Sequence, residues 1–454
     1  MTSSRIDLTR IPILKRTLKS RWVPWVLMAV TLPFFLLAIL AGFLGTPAGN
    51  RNFGIVFVWI VWWALVILVL VPFTGRLWCA MCPIPAPGEW LQRRALVQPR
   101  PGGRLFTLGR KWPKRFKNIW LQNVSFLLVA LFAGVILTTP MISAMVLALF
   151  AGVALATSLA FERRVFCRYL CPVGGFIGLY SQVAPVEVRV RDPQTCVTHK
   201  EKTCYKGSDA GYGCPWLVFP ATLEKNTYCG MCTECLKTCP LDNVALYARP
   251  FGADLRVSKG HRLDEAYKAL IMLTCALAYS VVLIGPWSFL KETAYAVGTR
   301  AWLAYALVFL ASNLILMPGL FYACAALARR IGHGQTSTRK LFVEYAYTLV
   351  PLGLAAWSAF SLSFVLINLS YAWAVLSDPF GWGWNLLGTA QWRWTPYLAS
   401  FIPYLQVAIL LVGLVAAIGM ALRLARQQNN SQASALPVVA FCALFTIGLM
   451  WLYV

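Results

Sequence analysis

Acidic residues are scarce in this chain. Its 454 residues hold 16 Asp and Glu against 41 Lys and Arg, and charged residues of either sign make up only 13%, about half the share of a soluble globular domain. Histidine is scarcer still. His199, His261 and His333 are the three present, and none falls inside an apolar run. A haem held by two histidines within a membrane is therefore excluded for want of ligands. There is no glycine-rich phosphate loop, no Ser–His–Asp set and no dinucleotide fingerprint, which removes the common nucleotide-dependent and hydrolytic chemistries.

What is abundant is apolar sequence, 59% of the chain. Runs at 22–44, 54–74, 118–138, 142–161, 265–288, 302–328, 342–375, 398–422 and 436–454 are each long enough to cross about 30 Å of hydrocarbon as a helix. The expected fold is an α-helical polytopic membrane protein of about nine spans. The first run is too long for the core of a cleaved signal peptide and reads as a retained span; the run at 342–375 is long enough to tilt or break. With the N-terminus in the cytoplasm, only Arg51, Lys291, Arg300 and Arg393 of the 41 basic residues fall outside. The positive-inside rule then places the N-terminus inside and the C-terminus outside a bacterial inner membrane. Basic charge spread over every inner loop needs lipid as its partner, and no nucleic acid. The outer loop 376–397, with Trp382, Trp384, Trp392 and Trp394, belongs at the headgroup level.

Four regions follow: a basic cytoplasmic N-terminus (1–21), a four-span region (22–182), a hydrophilic segment (183–262) and a five-span membrane domain (263–454). The hydrophilic segment carries Cys229-x2-Cys232-x2-Cys235-x3-Cys239-Pro240. Zinc also uses C-x2-C, but four cysteines this close, ending in Cys-Pro, have the spacing of a 4Fe-4S ferredoxin. A small cytoplasmic two-cluster ferredoxin-like α+β domain is expected there. Of the 14 cysteines, only Cys275, Cys324 and Cys442 lie singly in apolar runs, where a free thiol packs as a small hydrophobe.

A repeat lies upstream. Arg76-Leu-Trp-Cys79-x2-Cys82-Pro83 follows the second run, and Arg164-Val-Phe-Cys167-x3-Cys171-Pro172 follows the fourth, 88 residues later. Two helix pairs thus deliver a Cys-Pro pair each to one membrane face. Cys79, Cys82, Cys167 and Cys171 have the ligand supply for one shared 4Fe-4S cluster, for another metal such as copper or zinc, or for thiol–disulfide chemistry.

At these residues the chain resembles the membrane polyferredoxin proteins typified by NapH and NosR and, more distantly, the assembly protein CcoG. The resemblance covers about residues 54–245, without the large outer flavin-binding domain of the NosR kind. It implies electron transfer between a quinone pool or a cytoplasmic donor and a partner redox protein or membrane complex. By analogy with two-cluster ferredoxins, Cys214 would complete the cluster of Cys229, Cys232 and Cys235. Cys239 would join Cys196 and Cys204 on a second, with His199 as a candidate fourth ligand or a plain surface histidine. Glu344 is a candidate proton acceptor for a quinol, or one half of an ion pair with Arg339 or Lys340. Two other functions are open: an assembly factor reducing a metal or thiol at the four loop cysteines, and a cluster-based redox sensor.

Overall fold

The computed structural model describes residues 5–99, 105–257, 260–332, 335–428 and 431–453; His333 lies outside them. The chain is mostly helical. Among the described residues, eight helices are long and apolar enough to cross a membrane: Trp22–Leu44, Phe53–Thr74, Pro140–Ala160, Leu263–Ile284, Arg300–Gly332, Thr338–Asn368, Ala399–Gln427 and Gln432–Tyr453. Their outward apolar side chains stay uncovered, Leu307 at 70% and Val412 at 70% exposure. Such surfaces suit lipid and not water. The protein is a multi-pass membrane protein.

The ninth expected span differs. Residues 118–138 form a 12-residue helix, Trp120–Leu131, a break at Phe132, and a short helix Ala133–Ile136. Twelve residues rise about 18 Å, less than a bilayer core. Gln122 and Asn123 sit buried in the first turn of this helix, their amides donating to the carbonyls of Cys167 and Asp264. The long run at 342–375 is indeed interrupted, as Thr338–Ala346, Leu349–Asn368 and Tyr371–Ser377.

The chain forms two compact units. One comprises residues 40–68, 123–144 and 255–454 and is a helix bundle. Its helices approach closely through small residues, as membrane helices do when burial from water no longer drives association. A Cβ on Gly413 would lie 2.4 Å from the Ala355 Cβ, and one on Gly42 2.6 Å from that of Ala144. Trp357 is buried there, its indole donating to the Met272 carbonyl at 2.8 Å. Cys275 and Cys442 are buried in the same bundle, and the Cys275 thiol reaches Asn313 Oδ1 at 3.3 Å.

The other unit comprises residues 1–39, 69–122 and 145–254 and holds all eleven loop cysteines. At its centre is an antiparallel sheet in the order β1-β3-β2, with β1 at Ile6–Asp7, β2 at Val186–Val190 and β3 at Val244–Ala248. β2 and β3 pair over five residues, from Val186 opposite Ala248 to Val190 opposite Val244. Val188, Met231, Leu236 and Val244 form the core beneath them. Four apolar side chains at about 1.5–3 kcal/mol each are a thin core, so the segment depends on other ties.

The N-terminal stretch supplies some of them. Strand β1 closes the free edge of β3, and the helix Pro12–Lys19 lays Leu18 against the core. Lys15 and Lys19 reach Asp242 at 2.6 and 2.9 Å, and Arg21 reaches Glu234 at 3.2 Å. Residues 6–21 thus belong to the same body as residues 183–254, and form no separate tail. Burial acts to raise the Asp242 pKa, but hydrogen bonds from Lys15, Lys19 and Arg191 hold it well below the usual carboxylate range.

Candidate iron–sulfur sites

The two Cys-Pro loops have the same form with one residue of difference. In the first, an α-helical turn, Leu77–Met81, carries Cys79 and ends on Cys82, whose backbone is extended. In the second, a π-helical turn, Phe166–Leu170, carries Cys167 and ends on Cys171, again extended. A π turn closes on i→i+5 instead of i→i+4 and so takes up one extra residue per turn. The unequal spacings, x2 and x3, therefore deliver equivalent cysteines. Pro172 then starts the helix Pro172–Tyr180, and the Cys171 sulfur caps it by accepting from the Gly174 N–H at 3.2 Å.

The four thiols stand within electrostatic reach of one another: Cys82 feels Cys171 and Cys79, and Cys167 feels Cys171, Cys82 and Cys79. Cys79, Cys167 and Cys171 are buried, at 7–8% exposure. Burial pushes the Cys171 thiol up to about 11, against the pull of the Gly174 N–H, and pushes Cys82 and Cys167 up as well. Thiolates in this place need positive charge, as iron would supply.

The repeats brace each other. Arg164 of the second donates to the Cys79 carbonyl of the first at 2.6 Å and grips Glu89 through Nε at 2.9 Å and through Nη2. Glu89 also pairs with Arg93. Burial alone would raise its pKa, but Arg164 and Arg93 keep it low. Gln122 holds the carbonyls of Cys167 and Arg168 at 3.1 and 3.0 Å.

A second group gathers Cys214, Cys229, Cys232 and Cys235. Cys235 feels Cys229, Cys214 and Cys232, and Cys232 feels Cys214. Burial pushes Cys232 up to about 12. The loop turns tightly through Met231 and Thr233, at φ 53° and 57°. Backbone N–H groups point at the sulfurs: Val218 and Trp216 at Cys214, Met231 at Cys229, Glu234 at Cys232. Such bonds are one means by which a protein tunes a cluster.

A third group holds Cys196, Cys204 and Cys239. Cys204 feels both of the others, and burial pushes it up to about 11. Asn243 ties the group together, its backbone N–H donating to the Cys239 sulfur and its side chain to the Cys196 sulfur, each at 3.3 Å. His199 ends the helix Pro193–Thr198 that carries Cys196. Its Nε2 lies 4.0 Å from Glu201, and among the described residues no hydrogen bond joins it to a cysteine.

Among the described residues no three His, Cys, Asp or Glu side chains converge on one point as ligands of a single ion would. Around one zinc, sulfurs at 2.3 Å stand about 3.8 Å apart. A cubane gives each thiolate its own iron, and a donor set made of cysteines has the chemistry for it.

Spacing did not reveal Asn243, Gln122 or Glu89, nor a polar cluster at the start of the helix Leu263–Tyr279. There Glu265 is fully buried and accepts from the Tyr347 hydroxyl, while His261 stacks on Tyr347 at 3.9 Å. Glu344, by contrast, is held by Gln428 at 2.5 Å and by Lys340 at 3.9 Å.

Residues 55–115 and 143–189 match the family described as a 4Fe-4S binding domain; both Cys-Pro loops fall within the matched stretches. Over 88 residues the chain is 28% identical to a protein of Escherichia coli (strain K12) named as a candidate electron transport protein, YccM. That match spans 19% of this chain and 23% of the relative. No solved structure matches at a comparable level of significance. Over these stretches the chain is similar to 4Fe-4S binding and electron-transport proteins.

Proposed function

We propose that this protein carries electrons through iron–sulfur clusters at the cytoplasmic face of a bacterial inner membrane, between a quinone pool or cytoplasmic donor and a partner redox protein. The observation that carries this reading is the gathering of eleven loop cysteines into three groups within one compact unit, one of them assembled across the repeat. Cys79, Cys82, Cys167 and Cys171 would hold one 4Fe-4S cluster, and Cys214, Cys229, Cys232 and Cys235 a second. Cys196, Cys204 and Cys239 would hold a third, its remaining ligand being His199 or a group from outside the set.

The clusters, when bound, supply one-electron chemistry. The chain's own residues bury the sulfurs, aim backbone N–H groups at them and balance their charge. Burial of Cys79, Cys167 and Cys171 also speaks against the assembly-factor reading, since thiol exchange requires an accessible sulfur. A membrane quinol would need a proton acceptor at the bilayer edge, and Glu265 with Tyr347 is better buried for that task than Glu344.

Iron and acid-labile sulfide per chain, with EPR of the dithionite-reduced protein, test the reading. About twelve irons are expected for three cubanes, falling by about four in Cys79→Ser. Stoichiometric zinc without labile sulfide would refute it.

A further inference from the structure

The two repeat arginines begin the same motif but end in different electrical states. Arg164 is cancelled by Glu89. Arg76 is equally buried, at 4% exposure, yet among the described residues no carboxylate pairs with it. Its Nη1 donates to the Thr227 carbonyl, and its Nε and Nη2 have no hydrogen-bond partner. An unpaired buried ion costs several kcal/mol, so a fold that keeps one there implies an opposite charge close by.

The surroundings say where that charge belongs. A Cβ on Gly178 would stand 2.9 Å from Arg76 Nη1, and one on Gly174 3.5 Å from Nη2. Both glycines lie on the helix that Cys171 caps, so the guanidinium stands hard against Gly178 and within ordinary contact range of Gly174, beside the first cysteine group. Its flat face rests on the Trp216 ring, 4.1 Å from the centroid, an arrangement that fixes a cation in place. Trp216 is 1% exposed and lies two residues after Cys214. Its Nε1 is pressed so near Gly230 that a Cβ there would stand 1.7 Å away. Gly230 follows Cys229. Arg76 thus touches the framework of both four-cysteine groups, and its charge acts on Cys171 and on Cys229 alike.

We propose that Arg76, clamped on Trp216, is the buried counter-charge shared by the two four-cysteine groups, and that its Nε–H and Nη2–H donate to sulfur of the cluster held with Cys171. This rests on the iron–sulfur reading above. A cation here stabilises the more negative, reduced form of each cluster and raises its midpoint potential. Arg76 is a positioning and charge-balancing residue; it neither ligates iron nor carries an electron.

The test uses the full chain purified in detergent, with iron and sulfide counted and EPR followed through a dithionite titration. Arg76→Gln keeps size and polarity and removes the charge. It is expected to retain iron and to shift the reduction equilibrium of the clusters by tenfold or more, a fall of 59 mV or more for one electron. Arg76→Lys is expected to recover most of that shift. Full iron with unchanged midpoints in Arg76→Gln would overturn the proposal, as would Arg76→Lys behaving like Arg76→Gln. If Arg76→Gln loses iron, full loading of Arg76→Lys supports the requirement for charge, and equal loss in both overturns it. Wild-type protein devoid of iron and sulfide would overturn the functional reading itself, a result distinct from the others.

Discussion

Glu89 shows what single side chains do in this protein. It lies seven residues after Cys82, is buried at 4% exposure, and holds Arg164, which in turn holds the Cys79 carbonyl. Glu89→Gln leaves Arg164 buried without its counter-charge. Breaking such a pair costs about 3–5 kcal/mol, and thermal unfolding of the purified protein should show a loss of that order. The cysteine runs were legible as candidate ligands, because thiolate ligation imposes spacing and spacing is written in sequence. Arg76 and Arg164 were visible as members of a repeated motif, but their different partners were not, since those come from Trp216 and Glu89 on other segments. Asn243 and Gln122 were invisible for a related reason. An amide that binds a carbonyl or a sulfur obeys no periodicity, and only the folded chain brings donor and acceptor together.

At the scale of elements, the π turn at Phe166–Leu170 explains how unequal spacings serve equivalent ends, a point that the bare count x2 against x3 left open. One extra residue can be absorbed there, so inserting one alanine between Cys79 and Cys82 should leave the iron content near wild type, whereas inserting two should remove about four irons. Iron analysis of both variants decides. The N-terminal stretch carries the second lesson. Six basic residues before an apolar run read as a cytoplasmic tail, and nothing in that composition revealed that Ile6 and Asp7 would pair with a strand some 240 residues on. Asp242 anchors this stretch with a folded-state pKa below its unfolded value of about 3.9. Its contribution is therefore present above about pH 4 and is lost as pH falls through the folded pKa. At neutral pH Asp242→Asn should mimic that loss, and tryptic cleavage at Lys15 and Lys19 should run several-fold faster than in the wild type.

The whole molecule poses a question of crossings. Pro140–Ala160 has 21 residues, about 32 Å of helix and enough for one passage. Cys79 and Cys82 precede that helix, Cys167 and Cys171 follow it, and the four gather at one place. If Pro140–Ala160 crosses once and the four cysteines share one membrane face, the stretch between residues 118 and 139 has to cross as well, despite its break at Phe132. Alkaline phosphatase fused after residue 138 should accordingly be active, and fusions after residues 110 and 180 inactive. The membrane character was plain from hydropathy; the break at Phe132 was not, because apolar length carries no signal for where a helix is interrupted. The mutual bracing of the two repeats has a consequence for how the protein is made. Synthesis runs from the N-terminus, so Cys79 and Cys82 leave the ribosome some 90 residues before their partner cysteines and before Arg164, which steadies them. Until then they are ordinary thiols at a membrane surface, open to oxidants. If the four cysteines share a cluster as proposed, its insertion waits on completion of the second helix pair.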